Sequence, residues 1–196
     1  MRASPAVYNL IVHPRFFTKW FGERILRPFF DLSRKKTLEF GCGTGVNSLL
    51  FDPKYYLGVD IDEQRIGHAR KLYPNHRFEV VGQELSGIDE DSYDVILISG
   101  VLHHLTDPQI QGYWKRFLRI LKPDGVLIIF EPYLVPKSGV STWIMNFFDE
   151  GKYIRSEDHY LGLFAGFFQP RVLTKFRLPN LYTIVLIMAT RLKSLN

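Results

Sequence analysis

Thr37-Leu38-Glu39-Phe40-Gly41-Cys42-Gly43-Thr44-Gly45 is the stretch on which the reading of the fold turns. An apolar run carrying one acid, Glu39, ends at Phe40, and three alternating glycines lead into a short helical pattern, Thr44–Leu50. Glycine is wanted where backbone must turn sharply and approach a ligand without a Cβ in the way. A dinucleotide-binding turn requires G-x-G-x-x-G, with its third glycine at position 46; Val46 stands there, so that fingerprint fails. Val46 thus speaks against an NAD-dependent oxidoreductase, which stays as a third reading that NAD titration would close.

Working outward, a second apolar run closes in Gly58-Val59-Asp60-Ile61-Asp62. An acid at the tip of a second strand is placed to accept both hydroxyls of a ribose. The pattern predicts strands over Thr37–Phe40, Tyr55–Asp60, Arg77–Val81, Tyr93–Ser99 and Val126–Glu131, alternating with helices over Glu63–Tyr73 and Pro108–Leu121. Asp107-Pro108 reads as an N-cap and first-turn pair. Alternation of this kind is the mark of an α/β domain with a largely parallel sheet. Arg171–Arg177 and Tyr182–Arg191 are strand-like and joined by a short Leu178-Pro179-Asn180-Leu181 turn, so they pair antiparallel and finish the sheet as a hairpin.

Four landmarks in order, LEFGCGTG, GVDID, SYDVILISGVLHHLTD and LKPDGVLIIFEP, resemble the class I S-adenosylmethionine-dependent methyltransferases. The closest likeness is to their small-molecule branch of type 11 or type 12. The likeness runs motif by motif over 36–131 and loosely to the terminal hairpin. It implies a Rossmann-like seven-stranded sheet of order 3-2-1-4-5-7-6, mostly parallel with an antiparallel last strand and helices on both faces. It implies S-adenosyl-L-methionine as cofactor and S-adenosyl-L-homocysteine as product.

Carried over by position, Glu39, Gly41, Cys42, Gly43 and Gly45 shape the loop for the methionyl end. Asp60 takes the ribose hydroxyls and Ile61 packs on the adenine. Ser99 lies near the methionyl amine. Many relatives have an aspartate after the third strand to receive the adenine amino group; this chain has Val81-Gly82-Gln83-Glu84, where the Gln83 amide oxygen can accept instead and Glu84 adjoins it. Asp62 either caps the following helix or touches the cofactor.

Methyl transfer from a sulfonium asks the protein mainly for alignment in a dry site, with a base where the acceptor is a hydroxyl of high pKa. Candidate bases are His104, which follows the fourth strand, and Glu131, at the tip of the fifth; each has an equally plain structural reading. Candidate acceptor-side residues are Trp143, Tyr153 and Arg155. Arg155 either grips an anionic group on the acceptor or forms a surface ion pair with Glu157 or Asp158. His159 and Tyr160 sit on a segment that either folds over the site or stays exposed on a helix. Cys42 is a small residue between glycines rather than a nucleophile. No His, Asp or Glu cluster has metal-ligand spacing, so no metal is expected.

The 196 residues suit one domain, with 1–36 a helical appendage, 37–131 the cofactor-binding core, 132–168 the acceptor side and 169–196 the hairpin. The net charge of +5 divides into +6 over 1–36, −6 over 37–170 and +5 over 171–196. Phe16, Phe17, Trp20, Phe21, Ile25 and Phe29 recur at helical spacing, with Arg24 inside that apolar sector and Pro28 at its end. This stretch either covers a cleft or docks on an anionic membrane surface. The longest apolar run, Ile184 to Ala189, is too short to span a bilayer, and one cysteine permits no disulfide framework within the chain. A cytoplasmic enzyme is the expectation. The D/N-P-P-Y signature of base and amide N-methyltransferases is replaced by Ser99-Gly100-Val101-Leu102, so the expected acceptor is a small molecule (a glycan, lipid, quinone or secondary metabolite) and not nucleic acid. A non-catalytic protein that keeps the fold is the other class of reading.

Overall fold

The computed structural model describes residues 18, 20, 22–133, 153–177 and 183–192. Two compact units divide the chain between Ile88 and Asp89. In the first, β1 (Thr37–Phe40) is buried along its whole length. It pairs in parallel with β2 (Tyr56–Asp60), which pairs in parallel with β3 (Arg77–Val80). Between the last two runs α1 (Glu63–Leu72), whose Asp62 caps it by accepting the Gln64 and Arg65 N–H groups at 3.0 and 3.1 Å. Asp62 is therefore a capping residue. Ile66 and Ala69 form its buried side.

Two expectations change here. Thr44–Leu50 is not an α-helix but a 3-10 turn over Val46–Leu50. Gly45 precedes it in the left-handed region and Phe51 is extended after it, and Asp52-Pro53 at once begins a further 3-10 turn, Pro53–Tyr55. Five residues between such ends leave no room for an α-helical ladder. The N-terminal stretch also turns a different side inward. Phe16, Phe17 and Phe21 lie outside the described residues, but Thr18, Gly22 and Leu26 are buried while Trp20 and Phe29 are 40% and 45% exposed. Arg24 is exposed as well, outside any apolar sector. The inward line follows Gly22, where a side chain would run into Leu50 Cδ2. A single π-turn over Gly22–Leu26, closed by Arg27 N–H to the Gly22 carbonyl at 2.9 Å, precedes the turn that holds Pro28.

In the second unit β4 (Tyr93–Ser99) pairs in parallel with β5 (Leu121–Pro132). The strand is longer than Val126–Glu131 because Leu121 already pairs with Tyr93; the register then shifts, so Lys122–Gly125 form an irregularity inside the strand. The helix before it, α2 (Asp107–Ile120), is capped by Thr106 and not by Asp107: the Thr106 N–H and hydroxyl both donate to Gln109 Oε1 at 2.9 Å. The Asp107 carboxylate is left for other work. A short α3 (Glu157–Gly162) starts at Ser156, whose Oγ accepts the His159 N–H. β6 (Phe168–Arg177) and β7 (Thr183–Arg191) are antiparallel, and β7 runs antiparallel to β5. Their connecting turn lies outside the described residues. The seven strands form one sheet in the order β3-β2-β1-β4-β5-β7-β6, the order that the resemblance implies.

Trp114, fully buried on α2, organises the apolar packing of the second unit. Its ring stacks on Phe164 at 5.0 Å and meets Phe168 edge-on at 6.0 Å, and its indole N–H donates to the Leu163 carbonyl at 2.9 Å. Among the described residues no helix is long and apolar enough to cross a membrane. Trp114→Phe keeps an aromatic ring but strands a buried carbonyl and leaves a small void. We expect a loss of about 2 kcal/mol, read from the urea midpoint at unchanged slope.

Candidate functional site

The first unit places its polar side chains around the end of β1. Glu39 is 1% exposed. Its carboxylate accepts a hydrogen bond from Asn47 Nδ2 at 2.7 Å and another, very short, from the Tyr56 hydroxyl. Burial pushes its pKa up to about 7, helped by the nearby Asp60 charge and opposed by these two hydrogen bonds. Burial also pushes the Tyr56 phenol well up, so Tyr56 stays a donor. The ring is wedged by Phe51 at 5.4 Å and by His76 and Phe78 edge-on at 5.5 and 5.8 Å. Half-buried His76 is thus a packing partner of Tyr56.

Two glycines make this geometry fit. Gly58 lies opposite Glu39 in the sheet, and a Cβ there would come within 2.8 Å of the Tyr56 hydroxyl and 2.9 Å of Cys42 Sγ. Gly45 has φ +79°, and a Cβ would meet the Phe78 ring at 2.7 Å. The loop between is strapped to β2: the Gly41 and Cys42 N–H groups donate to the Val59 carbonyl at 2.8 and 3.0 Å. Cys42 is buried, and burial raises its thiol well above the usual value, so it is inert as a nucleophile.

Asp60 fastens the same loop from the other side. Its Oδ2 accepts the Gly43 N–H at 2.8 Å and its Oδ1 the Asp62 N–H at 2.9 Å. Each oxygen thereby keeps acceptor capacity for a further hydroxyl. Ile61 beside it is an apolar side chain 65% exposed. The Val81 N–H donates to the Asp60 carbonyl at 3.0 Å, which brings the turn carrying exposed Gln83 and Glu84 next to Asp60. A buried acid, a glycine-rich loop whose Gly41 and Gly43 are part-exposed, a carboxylate with spare acceptor capacity and an exposed apolar side chain form a set that fits an amino-acid nucleoside. Tyr56 and Asn47 were not visible as site residues in the sequence. Their role depends on strand register and on a five-residue turn.

The second unit holds Ser99, half-buried at the end of β4, and the loop that follows it. Glu131 does not face outward. It is fully buried, and its Oε1 accepts the Val101 and Leu102 N–H groups at 2.7 Å each, while Oε2 takes His103 Nδ1 at 2.7 Å. It is an anchor for the loop. His103 is buried with it, whereas His104 is exposed, its ring centroid 4.1 Å from that of His103. Trp143 lies outside the described residues.

Arg155 is neither a surface ion pair with Glu157 or Asp158 nor a side chain reaching for a ligand. It is 5% exposed. Its Nε donates to Asp107 Oδ1 at 2.8 Å, its Nη1 to the Leu102 and Tyr153 carbonyls at 2.9 and 2.8 Å, and its Nη2 to the Leu105 carbonyl at 2.6 Å. Tyr153, 40% exposed, adds its own N–H to the His103 carbonyl at 3.0 Å. Segment 153–156 is thus laced to the loop after β4. Asp107, the hub, also takes His159 Nε2 on Oδ2 at 2.8 Å. Burial alone would raise its pKa; the hydrogen bonds from His159 and Arg155 outweigh that and hold it low. No group of three or more His, Cys, Asp or Glu among the described residues is placed to hold a metal.

A family model described as a methyltransferase domain matches residues 38–127. A probable S-adenosylmethionine-dependent methyltransferase of Mycolicibacterium smegmatis is 33% identical over 102 residues, 50% of this chain and 38% of that protein. A ubiquinone biosynthesis O-methyltransferase of Parvibaculum lavamentivorans is 31% identical over 115 residues, 54% of this chain and 42% of that protein. The chain spans less than half the length of the curated relatives it matches. Among solved structures, the YcgJ protein of Bacillus subtilis superposes with a TM-score of 0.68 at 14% identity, covering 90% of this chain and 98% of that one, a likeness of fold.

A glutamic acid near pKa 7 when folded and 4.5 as a reference binds more protons folded than unfolded between those values. Its contribution is therefore fully present below about pH 4.5 and is lost as pH rises through 7. Glu39→Gln keeps the shape and removes the titration. We expect the variant to gain stability over the native chain as pH rises from 5 to 8, in urea unfolding at matched ionic strength. A difference independent of pH would mean that Glu39 is ionised throughout.

Proposed function

The chain belongs to the class I S-adenosylmethionine-dependent methyltransferases, and from that premise we propose that it moves a methyl group onto a hydroxyl of a small-molecule acceptor. The observation that carries this reading is the Asp60 carboxylate, with acceptor capacity on both oxygens, beside an isoleucine that is 65% exposed. In this reading Asp60 receives the ribose hydroxyls, Ile61 covers one face of the adenine, and Gln83 and Glu84 border its edge. Glu39 and the Gly41–Gly45 loop take the methionyl end, and Ser99 serves its amine. S-adenosyl-L-methionine supplies a methyl group already activated on a sulfonium.

What the chain adds is placement. Glu131 holds the backbone of Val101 and Leu102 rigid at a depth where water cannot compete. Arg155 does the same for Leu102 and Leu105. The acceptor-side loop is thus preset rather than formed on binding, which favours in-line alignment. Glu131 and Arg155 act as positioning residues, and exposed His104 is the residue of this loop able to take a hydroxyl proton. The O-methyltransferase relative lends weight to a hydroxyl acceptor.

Asp60→Ala removes both ribose contacts. By calorimetry we expect S-adenosylmethionine affinity to fall about 100-fold, with the folded state intact by circular dichroism. Methyl-labelled cofactor incubated with cell extract should label the lipid, saccharide or small-molecule fractions; label only in nucleic acid or protein would overturn the small-molecule reading. Trp20 and Phe29, exposed near the exposed cations Arg24 and Arg27, favour a second version in which the acceptor is membrane-bound. Its mark is co-sedimentation with anionic vesicles at low salt.

A further inference from the structure

A cavity of about 640 Å³ opens in the second unit between the start of α2 and segment 153–159. Its wall combines apolar Pro108, Ile154 and Tyr153 with polar Asp107, Ser156 and His159. Three groups there form a chain. Buried Arg155 donates to Asp107 Oδ1, and Asp107 Oδ2 faces His159 Nε2 at 2.8 Å. The last two side chains are 40% and 50% exposed.

Asp107 is held ionised by this pairing and so can only accept. The proton between it and the imidazole therefore sits on His159 Nε2. In the neutral ring that leaves Nδ1 with a lone pair. A carboxylate that fixes a tautomer on a half-exposed imidazole, in a cavity, is more than a surface ion pair needs. The ligand such a site takes is also restricted. Arg155 and Asp107 cancel in charge, and the guanidinium is committed to Asp107 and three backbone carbonyls. Among the described residues lining the cavity, no uncommitted guanidinium or ammonium group is left for an anion. The Tyr153 ring, 40% exposed with Arg155 5.7 Å from its centroid, offers a flat apolar surface.

We propose that this cavity recognises a neutral, hydroxyl-bearing aromatic ring, stacked by Tyr153 and donating its hydroxyl hydrogen to His159 Nδ1. The site rests on the small-molecule reading above and narrows its acceptor to the phenol class.

Phenol, its methyl ether anisole, and benzoate are the probes, each titrated into the full-length protein and followed by NMR of labelled histidine and tyrosine. The account expects His159 in the Nε2–H tautomer before addition. Phenol should shift His159 and Tyr153 and bind at least about fivefold more tightly than anisole or benzoate. In His159→Ala, a change at a half-exposed helix position, phenol and anisole should bind alike. An Nδ1–H tautomer overturns the proposal. So does equal binding of phenol and anisole by the native protein, tighter binding of benzoate, no binding by any probe, or a preference that survives His159→Ala. S-adenosylmethionine titrated into the same sample reports on the first unit separately. Failure of the cavity and failure of the methyltransferase reading are thereby distinguished.

Discussion

A carboxylate buried at the end of β1 sets the terms for the whole first unit. Glu39 is removed from water, and among the described residues two neutral donors meet it, Asn47 and Tyr56. Such a group is costly to ionise, and a hydrophobic or amide residue of the same size would fold more comfortably. Everything around it is arranged to keep it nonetheless. Gly58 makes room for the Tyr56 hydroxyl, Phe51, His76 and Phe78 fix the tyrosine ring, and the short turn after Gly45 delivers Asn47. A stability cost retained with this much support is the signature of a group kept for a partner. A cation is the partner that an ionisable buried acid best receives.

The second unit uses buried charge differently. Glu131 and Arg155 are deeply enclosed, yet both are held largely by backbone: Glu131 by two N–H groups besides His103, Arg155 by three carbonyls besides Asp107. They brace a loop whose own backbone order is a single 3-10 turn over Leu102–His104. Loops that carry function while lacking secondary structure need their backbone groups satisfied by side chains. A similar logic makes Thr106 the cap of α2, which releases Asp107 to join Arg155 to His159.

The sheet was legible because strand patterns and the glycine loop are local features with strong physical causes. β1 and β4 match the sequence reading, and β2 and β3 differ by one residue at an end. Departures occurred where distant residues decide. The 3-10 turn after Gly45 depends on a left-handed glycine and on Pro53; the early start of β5 depends on Tyr93 across the sheet. In the N-terminal stretch small Thr18 and Gly22 are buried while the larger Trp20 and Phe29 are 40% and 45% exposed, an order that apolar spacing alone does not carry. At the site, Glu39 and Asp60 stand out by motif, and in the structure each accepts two hydrogen bonds around the loop after β1. Tyr56, Asn47 and Asp107 carried no local signal; each acts through a partner at least eight residues away. Arg155 and Glu131 stand out in the sequence as candidate site residues, but the burial that makes them braces is a property of the folded chain alone.

The central claim is that Glu39 rests protonated near neutrality and ionises when it receives a cationic amine. Proton-linkage calorimetry at pH 6 tests it directly: S-adenosylmethionine is titrated in buffers of different ionisation enthalpy. At that pH the ligand's amino group is already charged and takes up no proton on binding. Glu39, with its pKa near 7, must give its proton up. The account predicts release of close to one proton per ligand bound by the native chain and none by Glu39→Gln. Binding without proton release in the native chain, or the same release in both, would contradict it.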